Sequence, residues 1–252
     1  ASVQECMDLA AVAHLSAIKG SIPFLHFFDG FRTSHELQKI EVLEYEDLGK
    51  LLDREAVRHF KAHALNPEHP TVRSTVANPD TFFQSREACN TAYNALPEIV
   101  EDYMKQVNNV TGKKYQLFNY YGHPQATRVV IAMGSVCETL MEVVDHLMER
   151  GEKVGMIQVH LYRPFSLKHF LKAIPATAKT ITVLDRTKEP GALGEPLYED
   201  VCTAISESKL AGKVKLLAGR YGLSSKDTTP AQMKAVFDNM KAGKKNHFTV
   251  GI

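Results

Sequence analysis

The sequence has no tryptophan, no pair of cysteines in a C-x-x-C arrangement, and no apolar run near the roughly 20 residues that span a bilayer. The missing run excludes a membrane-spanning helix, and the first residues do not follow the pattern of a secretory signal. Cys6, Cys89, Cys137 and Cys202 are widely separated, which argues against a zinc ribbon, an iron–sulfur ligand run or a thioredoxin-like motif. We interpret them as small thiols buried in helices, in a reducing cytoplasm.

The charge is almost balanced, with 30 basic and 29 acidic residues and a net charge of +1. This balance gives no electrostatic reason to expect nucleic acid or an anionic membrane as a partner. A chain of 252 residues that is 44% hydrophobic and 23% charged has the composition of a globular protein with one or two domains.

The second half of the chain alternates apolar strands with amphipathic helices. The predicted strands are Arg128–Met133, Lys153–Val159, Thr180–Leu184 and Val214–Ala218. Apolar residues at helical spacing follow each strand, and the last helix follows Thr229. Four such units predict an α/β domain with a parallel sheet and helices on both faces.

The first half is less regular. It predicts helices from Ser2 to Gly20 and from Asp53 to Leu65, a long helix or two from Thr81 kinked at Pro97, and strands over Pro23–Phe28 and Lys39–Tyr45. The polar segment Asn108–Tyr121 is the predicted domain boundary.

Three segments have the capping-box pattern that satisfies free N–H groups at a helix start: Ser2–Glu5, Ser135–Glu138 and Thr229–Gln232. The last residues, His247–Ile252, resemble a strand that begins without partners. We therefore expect this chain to be a segment of a longer polypeptide.

Several features could carry chemistry, but none forms a complete site. No dinucleotide, P-loop or H-E-x-x-H motif occurs. His59 and His63 have metal-ligand spacing on a helix, yet no third ligand is suggested, and we interpret them as surface histidines. Gly134–Ser135 could hold an anion at a helix start, although helix capping explains it better. Asp185–Pro196 follows a strand and fits a ligand site and an interface equally.

The loop Asp29–Glu36 is the densest cluster of functional residue types. Arg32 can hold a carboxylate with two hydrogen bonds, and Asp29, Thr33 and His35 lie beside it. A capping box from Thr33 to Glu36 is an alternative that needs no chemistry. These four residues are candidates for an active-site or interface loop, and no residue is assigned a catalytic role.

Three strings resemble the pyruvate:ferredoxin (flavodoxin) oxidoreductase family: Pro23–Glu36, Leu184–Tyr198 and Asn246–Ile252. The resemblance covers essentially the whole chain. It implies an enzyme for the coenzyme A-dependent oxidative decarboxylation of pyruvate to acetyl-CoA and CO₂. The implied cofactors are thiamine diphosphate with Mg²⁺ and [4Fe–4S] clusters, and the implied electron acceptor is ferredoxin or flavodoxin.

The resemblance also implies a domain plan. Residues 1–118 correspond to the end of a thiamine-pyrimidine-type α/β domain, residues 119–245 to a parallel-sheet domain like the transketolase C-terminal domain, and residues 246–252 to the start of a following domain. The family's thiamine-activating glutamate lies upstream and its cluster cysteines downstream. We therefore expect this segment to hold none of the cofactors and to be inactive alone.

As partners, the resemblance implies pyruvate, coenzyme A, the other domains of the polypeptide and a second copy in a homodimer, with no nucleic acid and no membrane. The expected location is the cytoplasm, or a hydrogenosome or similar organelle in an anaerobic protist. A scaffold segment of pyruvate:NADP⁺ oxidoreductase or of a sulfite reductase subunit is the alternative.

Overall fold

A computed structural model of the chain describes residues 2–72 and 76–252. These residues form two compact units. The sheet unit contains residues 2–6, Phe28–Ile40 and Leu117–Ile252, and the helical unit contains Met7–Phe27 and Glu41–Gln116. The segment Phe28–Ile40, distant in sequence from the strands, therefore belongs to the same compact unit as the sheet.

The sheet has six strands in the order β1-β3-β2-β4-β5-β6, and only the β1–β3 pair is antiparallel among the pairs described. The strands are β1 (Phe118–Gly122), β2 (Arg128–Ala132), β3 (Val154–Val159), β4 (Thr180–Asp185), β5 (Lys215–Arg220) and β6 (Phe248–Thr249). The four strands predicted from the sequence are β2 to β5, so the predicted α/β domain with a parallel sheet is confirmed.

Helices cover both faces of the sheet. They are α5 (Val136–Met148), α6 (Leu167–Ala173), α7 (Pro196–Ser206) and α8 (Pro230–Ala242). Helices α5 and α8 share one buried apolar cluster with Val130 and Met156, whereas α6 packs its Phe170 against Phe118 on the opposite face. Burial on both faces explains why β2 to β4 are almost continuously apolar in sequence.

Two findings at the sheet margins differ from the sequence predictions. Strand β1 was not predicted, because it falls in the segment interpreted as a domain boundary. The final strand β6 does have a partner: it pairs in parallel with β5, with Phe248 opposite Gly219. The missing side chain at Gly219 makes this possible, since a Cβ there would lie 2.6 Å from the Phe248 ring.

The helical unit and the start of the chain contain α1 (Val3–Gly20), α2 (Tyr45–Leu51), α3 (Arg54–Ala62) and α4 (Pro79–Thr111). Pro97 lies inside α4, which continues through it as one helix and ends at Gly112 with a φ of 70°. Within the helical unit, the Tyr115 hydroxyl donates to the buried carboxylate of Asp8 at 2.7 Å.

The strands predicted over Pro23–Phe28 and Lys39–Tyr45 are wrong. Neither segment pairs with a strand of the described residues, and α2 already begins at Tyr45. Leu25 keeps 84% of its surface exposed and Phe27 keeps 58%. An apolar run is a strand only where a neighbouring strand satisfies its backbone groups, and no such neighbour is present in residues 2–72 and 76–252.

The capping predictions have mixed outcomes. Ser2 and Glu5 exchange the two capping-box hydrogen bonds, and Thr229 and Gln232 do the same at α8. The box predicted at Ser135 is wrong, because its side chain makes no capping bond to α5. The box predicted from Thr33 to Glu36 is also wrong: residues Thr33–His35 form one short 3₁₀ turn and Glu36 is extended.

All four cysteines are free and lie in helices, as predicted, but only Cys137 is fully buried. No helix among the described residues is long and apolar enough to cross a bilayer.

Candidate functional site

The carboxyl ends of β2, β3, β4 and β5 meet at one edge of the sheet. Strand β2 lies between β3 and β4, so the connection from β2 to β3 and the connection from β3 to β4 run in opposite directions along the sheet. In open α/β sheets, ligands bind at such a switch point, outside the carboxyl ends of the strands. Here this position carries Gly134–Ser135 after β2 and Asp185–Arg186 at the end of β4.

The carboxylate of Asp29 occupies this edge. Its Oδ2 accepts a hydrogen bond from the Ser135 backbone N–H, and its Oδ1 pairs with the Arg186 guanidinium. The side chains of Asp29 and Arg186 are only 10% and 20% exposed. Burial would raise the pKa of Asp29, but the hydrogen bonds from Ser135 and Arg186 outweigh it and lower the pKa. Asp29 is therefore held as a charged carboxylate.

Arg186 is itself fixed by the loop after β5. Its Nε donates to Gly222 O at 3.0 Å, and its Nη2 lies 3.3 Å from Ser225 Oγ. Gly222 and Ser225 both have positive φ values, 65° and 56°. For Ser225 this backbone region is unfavourable, so local strain is held where the loop meets Arg186.

Arg32 binds the same loop from the other direction. Its Nη2 donates to Ser225 O at 3.1 Å and forms an ion pair with Asp227. Asp29 and Arg32 of this segment thus each form an ion pair with a residue of opposite charge at the sheet edge. Unlike Asp29, this pair is exposed, with 43% of the Arg32 side chain and 80% of Asp227 accessible.

The other two candidate residues are Thr33 and His35. Thr33 is buried, with 5% of its surface exposed. His35 stacks on Phe31 with ring centroids 5.2 Å apart, and its Nδ1 lies 2.7 Å from Ser34 Oγ. The structure therefore brings Asp29 and Arg32 to the sheet edge, whereas these contacts of His35 lie inside the loop.

The segment Asp185–Pro196 pairs its buried acidic side chains with other groups of the sheet unit. The Asp185 carboxylate accepts the N–H groups of Leu197 at 2.9 Å and Tyr198 at 3.1 Å, which caps α7. Burial raises the pKa of Asp185 to about 6, although the two N–H groups oppose the shift. Glu195, 2% exposed, lies 3.3 Å from Arg220 and 3.6 Å from Lys188.

A second polar cluster lies at the end of β3 and was not foreseen from the sequence. The Glu5 carboxylate lies 3.3 Å from His160 Nε2 and accepts from Gln158 Nε2 at 3.0 Å. Burial would raise the pKa of Glu5, but the hydrogen bond and charge of His160 outweigh it and bring the pKa to about 2. The available signal was the capping box, which places Glu5 in the first turn of α1.

His59 and His63 lie on the surface at the end of α3, with ring centroids 4.2 Å apart. His63 Nδ1 lies 2.8 Å from the His59 carbonyl oxygen. Within residues 2–72 and 76–252, neither histidine belongs to a group of three metal-ligating side chains. The geometry agrees with surface histidines.

Two family models match the chain. Residues 1–105 match the model described as "Pyruvate flavodoxin/ferredoxin oxidoreductase, thiamine diP-bdg", and residues 126–233 match "Pyruvate:ferredoxin oxidoreductase core domain II". The two matches together leave out residues 106–125 and 234–252.

Curated relatives match over the whole chain. It is 61% identical over 252 residues to a pyruvate-flavodoxin oxidoreductase of Enterobacter agglomerans and 60% identical over 254 residues to a pyruvate:ferredoxin oxidoreductase of Moorella thermoacetica. In both cases it spans 21% of the relative's length. It is also 50% identical to a pyruvate dehydrogenase [NADP(+)] of Cryptosporidium parvum, of which it spans 13%.

Among solved structures, a 2-oxoglutarate:ferredoxin oxidoreductase of Magnetococcus marinus covers 58% of this chain with a TM-score of 0.36 and 17% identity. The alignment spans 23% of that structure's chain, and similarity at this level supports no inference about the site.

Proposed function

We propose that this chain, which belongs to the pyruvate:ferredoxin (flavodoxin) oxidoreductase family, is part of an enzyme that oxidatively decarboxylates pyruvate. Pyruvate and coenzyme A would give acetyl-CoA and CO₂, while an electron pair passes to ferredoxin or flavodoxin. The observation that carries the proposal is the 61% and 60% identity, over the full chain, to relatives that bear these names.

The family depends on thiamine diphosphate, which when bound supplies the carbanion-stabilising chemistry. The candidate loop does not fit the diphosphate, because its Arg32 and the neighbouring Arg186 already pair with Asp227 and Asp29. Within the described part of the chain, no three cysteines are close enough to share an ion. We therefore propose that thiamine diphosphate, Mg²⁺ and [4Fe–4S] clusters belong to other parts of the enzyme.

We propose the domain plan stated from the resemblance: residues 1–118, 119–245 and 246–252 would belong to three successive domains. The remaining partners would be the other domains of the polypeptide and a second copy in a homodimer, with the enzyme in the cytoplasm or in an anaerobe's organelle. The chain spans 21% of the first relatives' length. Many apolar side chains of the described residues are exposed, among them Phe31, Leu37, Phe83 and Leu193, and contacts with further domains or a second copy would cover such side chains.

A second candidate is a pyruvate oxidoreductase that reduces NADP⁺, and the 50% identity to the NADP-linked relative favours it over a scaffold segment of a sulfite reductase subunit. The assay that separates the two pyruvate oxidoreductases uses the intact polypeptide carrying these residues, supplied with pyruvate and coenzyme A. We expect reduction of ferredoxin or flavodoxin without NADP⁺. Reduction of NADP⁺ alone would favour the second candidate, and a lack of acetyl-CoA formation with every one of these acceptors would contradict both.

The role of the loop Asp29–Glu36 has its own test. We propose that it is an interface element that frames the reaction site of the intact enzyme, so that Arg32→Ala lowers kcat/KM for pyruvate. Because the Arg32–Asp227 pair is exposed, the same change should alter stability by less than about 1 kcal/mol. Unchanged kinetics would remove the loop from the site, and a large loss of stability would show that its role is structural.

A further inference from the structure

The sheet edge holds a site that is built for an anion. Two donors from different elements converge on it: the Ser135 N–H, after β2, and Arg186 Nη1, after β4. Both bind the carboxylate of Asp29, which reaches them from a segment more than 100 residues earlier in the chain. The free N–H groups at the start of a helix attract negative charge, and α5 begins at this point.

Arg186 is positioned before it meets the anion. Gly222 O and Ser225 Oγ occupy its Nε and Nη2, which fixes the plane of the guanidinium and directs Nη1 at Asp29. A fixed guanidinium loses little conformational freedom on binding, so the same arrangement would receive a free anion as well as a tethered one.

The space at the site selects the kind of anion. Gly134 has a φ of +87°, and a Cβ there would lie 2.6 Å from Asp29 Oδ2 and 3.1 Å from Oδ1. The Asp29 carboxylate therefore lies directly against the bare glycine backbone, which leaves less room for a bulkier anion such as phosphate. One guanidinium also balances one negative charge, and Arg32 is occupied by Asp227. Shape and charge both favour a monocarboxylate over a phosphate.

We infer that Gly134, the Ser135 N–H and Arg186 form a carboxylate site, that Asp29 is its tethered ligand, and that a free small carboxylate binds there when the Asp29 carboxyl group is removed. The tethered ligand holds segment 28–36 on the sheet edge. The site thus anchors this segment to the sheet, and the stability of this contact depends on the Asp29 carboxyl group alone.

The test is chemical rescue in the intact polypeptide. Asp29→Ala removes a group of the size of formate, and amide hydrogen exchange then reports on Ser135 and on residues 28–36. We expect exchange at both places to become about tenfold faster, because a charge-assisted hydrogen bond is lost. Added formate should bring these exchange rates back to within about twofold of the wild-type rates, whereas chloride and inorganic phosphate at the same ionic strength should not.

The double variant Asp29→Ala/Arg186→Gln is the matched control, and formate should not restore its exchange. Equal effects of formate and chloride on Asp29→Ala would overturn the inference, as would rescue in the double variant. If Asp29→Ala does not fold, Asp29→Asn keeps the side-chain volume and removes the charge. Faster exchange over residues 28–36 in that variant supports a carboxylate site, and unchanged exchange refutes it.

Discussion

Arg186, which follows β4, forms an ion pair with Asp29, a residue 157 positions earlier in the chain. This pair closes the edge of the sheet at which open α/β proteins bind ligands. An intramolecular carboxylate therefore takes the place that a substrate or cofactor anion has in many proteins of this architecture. In this sheet unit the switch point binds the segment that carries Asp29 to the loops that follow β2 and β4.

Gly134→Ala should destabilise the protein through this contact. The new Cβ would lie 2.6 Å from Asp29 Oδ2 and would also require an alanine at a φ of +87°. We expect a loss of about 2–4 kcal/mol in the free energy of unfolding, as the sum of backbone strain and displacement of a buried charge. Urea unfolding followed by circular dichroism measures it.

Gly151→Ala is the matched control for this substitution. Gly151 has a similar φ of +78°, but nothing lies within 4 Å of the position its Cβ would take. The Gly151→Ala substitution should lower the free energy of unfolding only by the backbone strain, about 1 kcal/mol. Equal losses for the two variants would show that the approach of Asp29 to Gly134 contributes nothing.

Arg186→Ala should also be strongly destabilising. It leaves the largely buried Asp29 carboxylate without its counter-charge, and it removes the donors to Gly222 O and Ser225 Oγ. A loss of about 2–4 kcal/mol is expected from an uncompensated, partly buried charge. Arg58→Ala, which removes an exposed pair with Glu55 on α3, should change the thermal midpoint by no more than about 1–2 °C.

The sheet was predictable from the sequence, and the physical reason is local. Strands β2 to β4 are buried on both faces and β5 is buried at its centre, so each contains a short apolar run, and the helix after each strand carries its own periodicity. Strand β1 escaped prediction because it is an antiparallel edge strand with two tyrosines and only one fully buried residue, Phe118. The segment Pro23–Phe28 shows the opposite error, since its apolar run has no partner strand among the described residues.

The site was predictable only in part. Residue types pointed to Asp29 and Arg32, and the position after a strand pointed to Gly134–Ser135 and to Asp185–Pro196. That Asp29 would fill the anion position at Ser135 could not be read from the sequence, because the contact spans 106 residues and depends on the fold of the sheet. Ser225 and Asp227 were missed for the same reason: only their place beyond β5 gives a signal.

Glu5 should make stability fall in acid. Its pKa is lowered from 4.5 to about 2, so the folded chain holds the proton less tightly than the unfolded chain. Its contribution is complete above about pH 4.5 and is lost as the pH falls toward 2. Glu5→Gln should therefore be less stable than the wild type by about 1–3 kcal/mol near neutral pH, with the difference shrinking in acid.

Ser2→Ala is the matched control for Glu5→Gln. It removes the hydroxyl that accepts the Glu5 N–H but leaves the Glu5 carboxylate in place. It should lower stability by about 1 kcal/mol at every pH, which urea unfolding at several pH values can check. A difference between Glu5→Gln and wild type that stays constant down to about pH 3 would contradict the prediction.

Asp185 should have the opposite effect to Glu5: its ionisation should lower stability as the pH rises. Burial raises its pKa from 3.8 to about 6, so the folded chain holds this proton more tightly than the unfolded chain, and stability is lost as the pH rises between these values. Asp185→Asn cannot ionise, and it keeps one oxygen to accept a hydrogen bond from the N–H of Leu197 or Tyr198. Relative to the wild type, the variant should therefore gain about 1–3 kcal/mol between about pH 4 and pH 7.

The neighbouring charges sharpen this test. Glu195 and Asp200 both raise the pKa of Asp185, and they are paired with Arg220 and Arg163 at 3.3 Å and 2.7 Å. Arg220→Gln should leave Glu195 less compensated, raise the pKa of Asp185 further and move the loss of stability to higher pH. Thermal unfolding across the pH range measures both variants. If the stability difference between Asp185→Asn and the wild type is the same at every pH, Asp185 has the same pKa in the folded and unfolded chain, and burial at the start of α7 does not raise it.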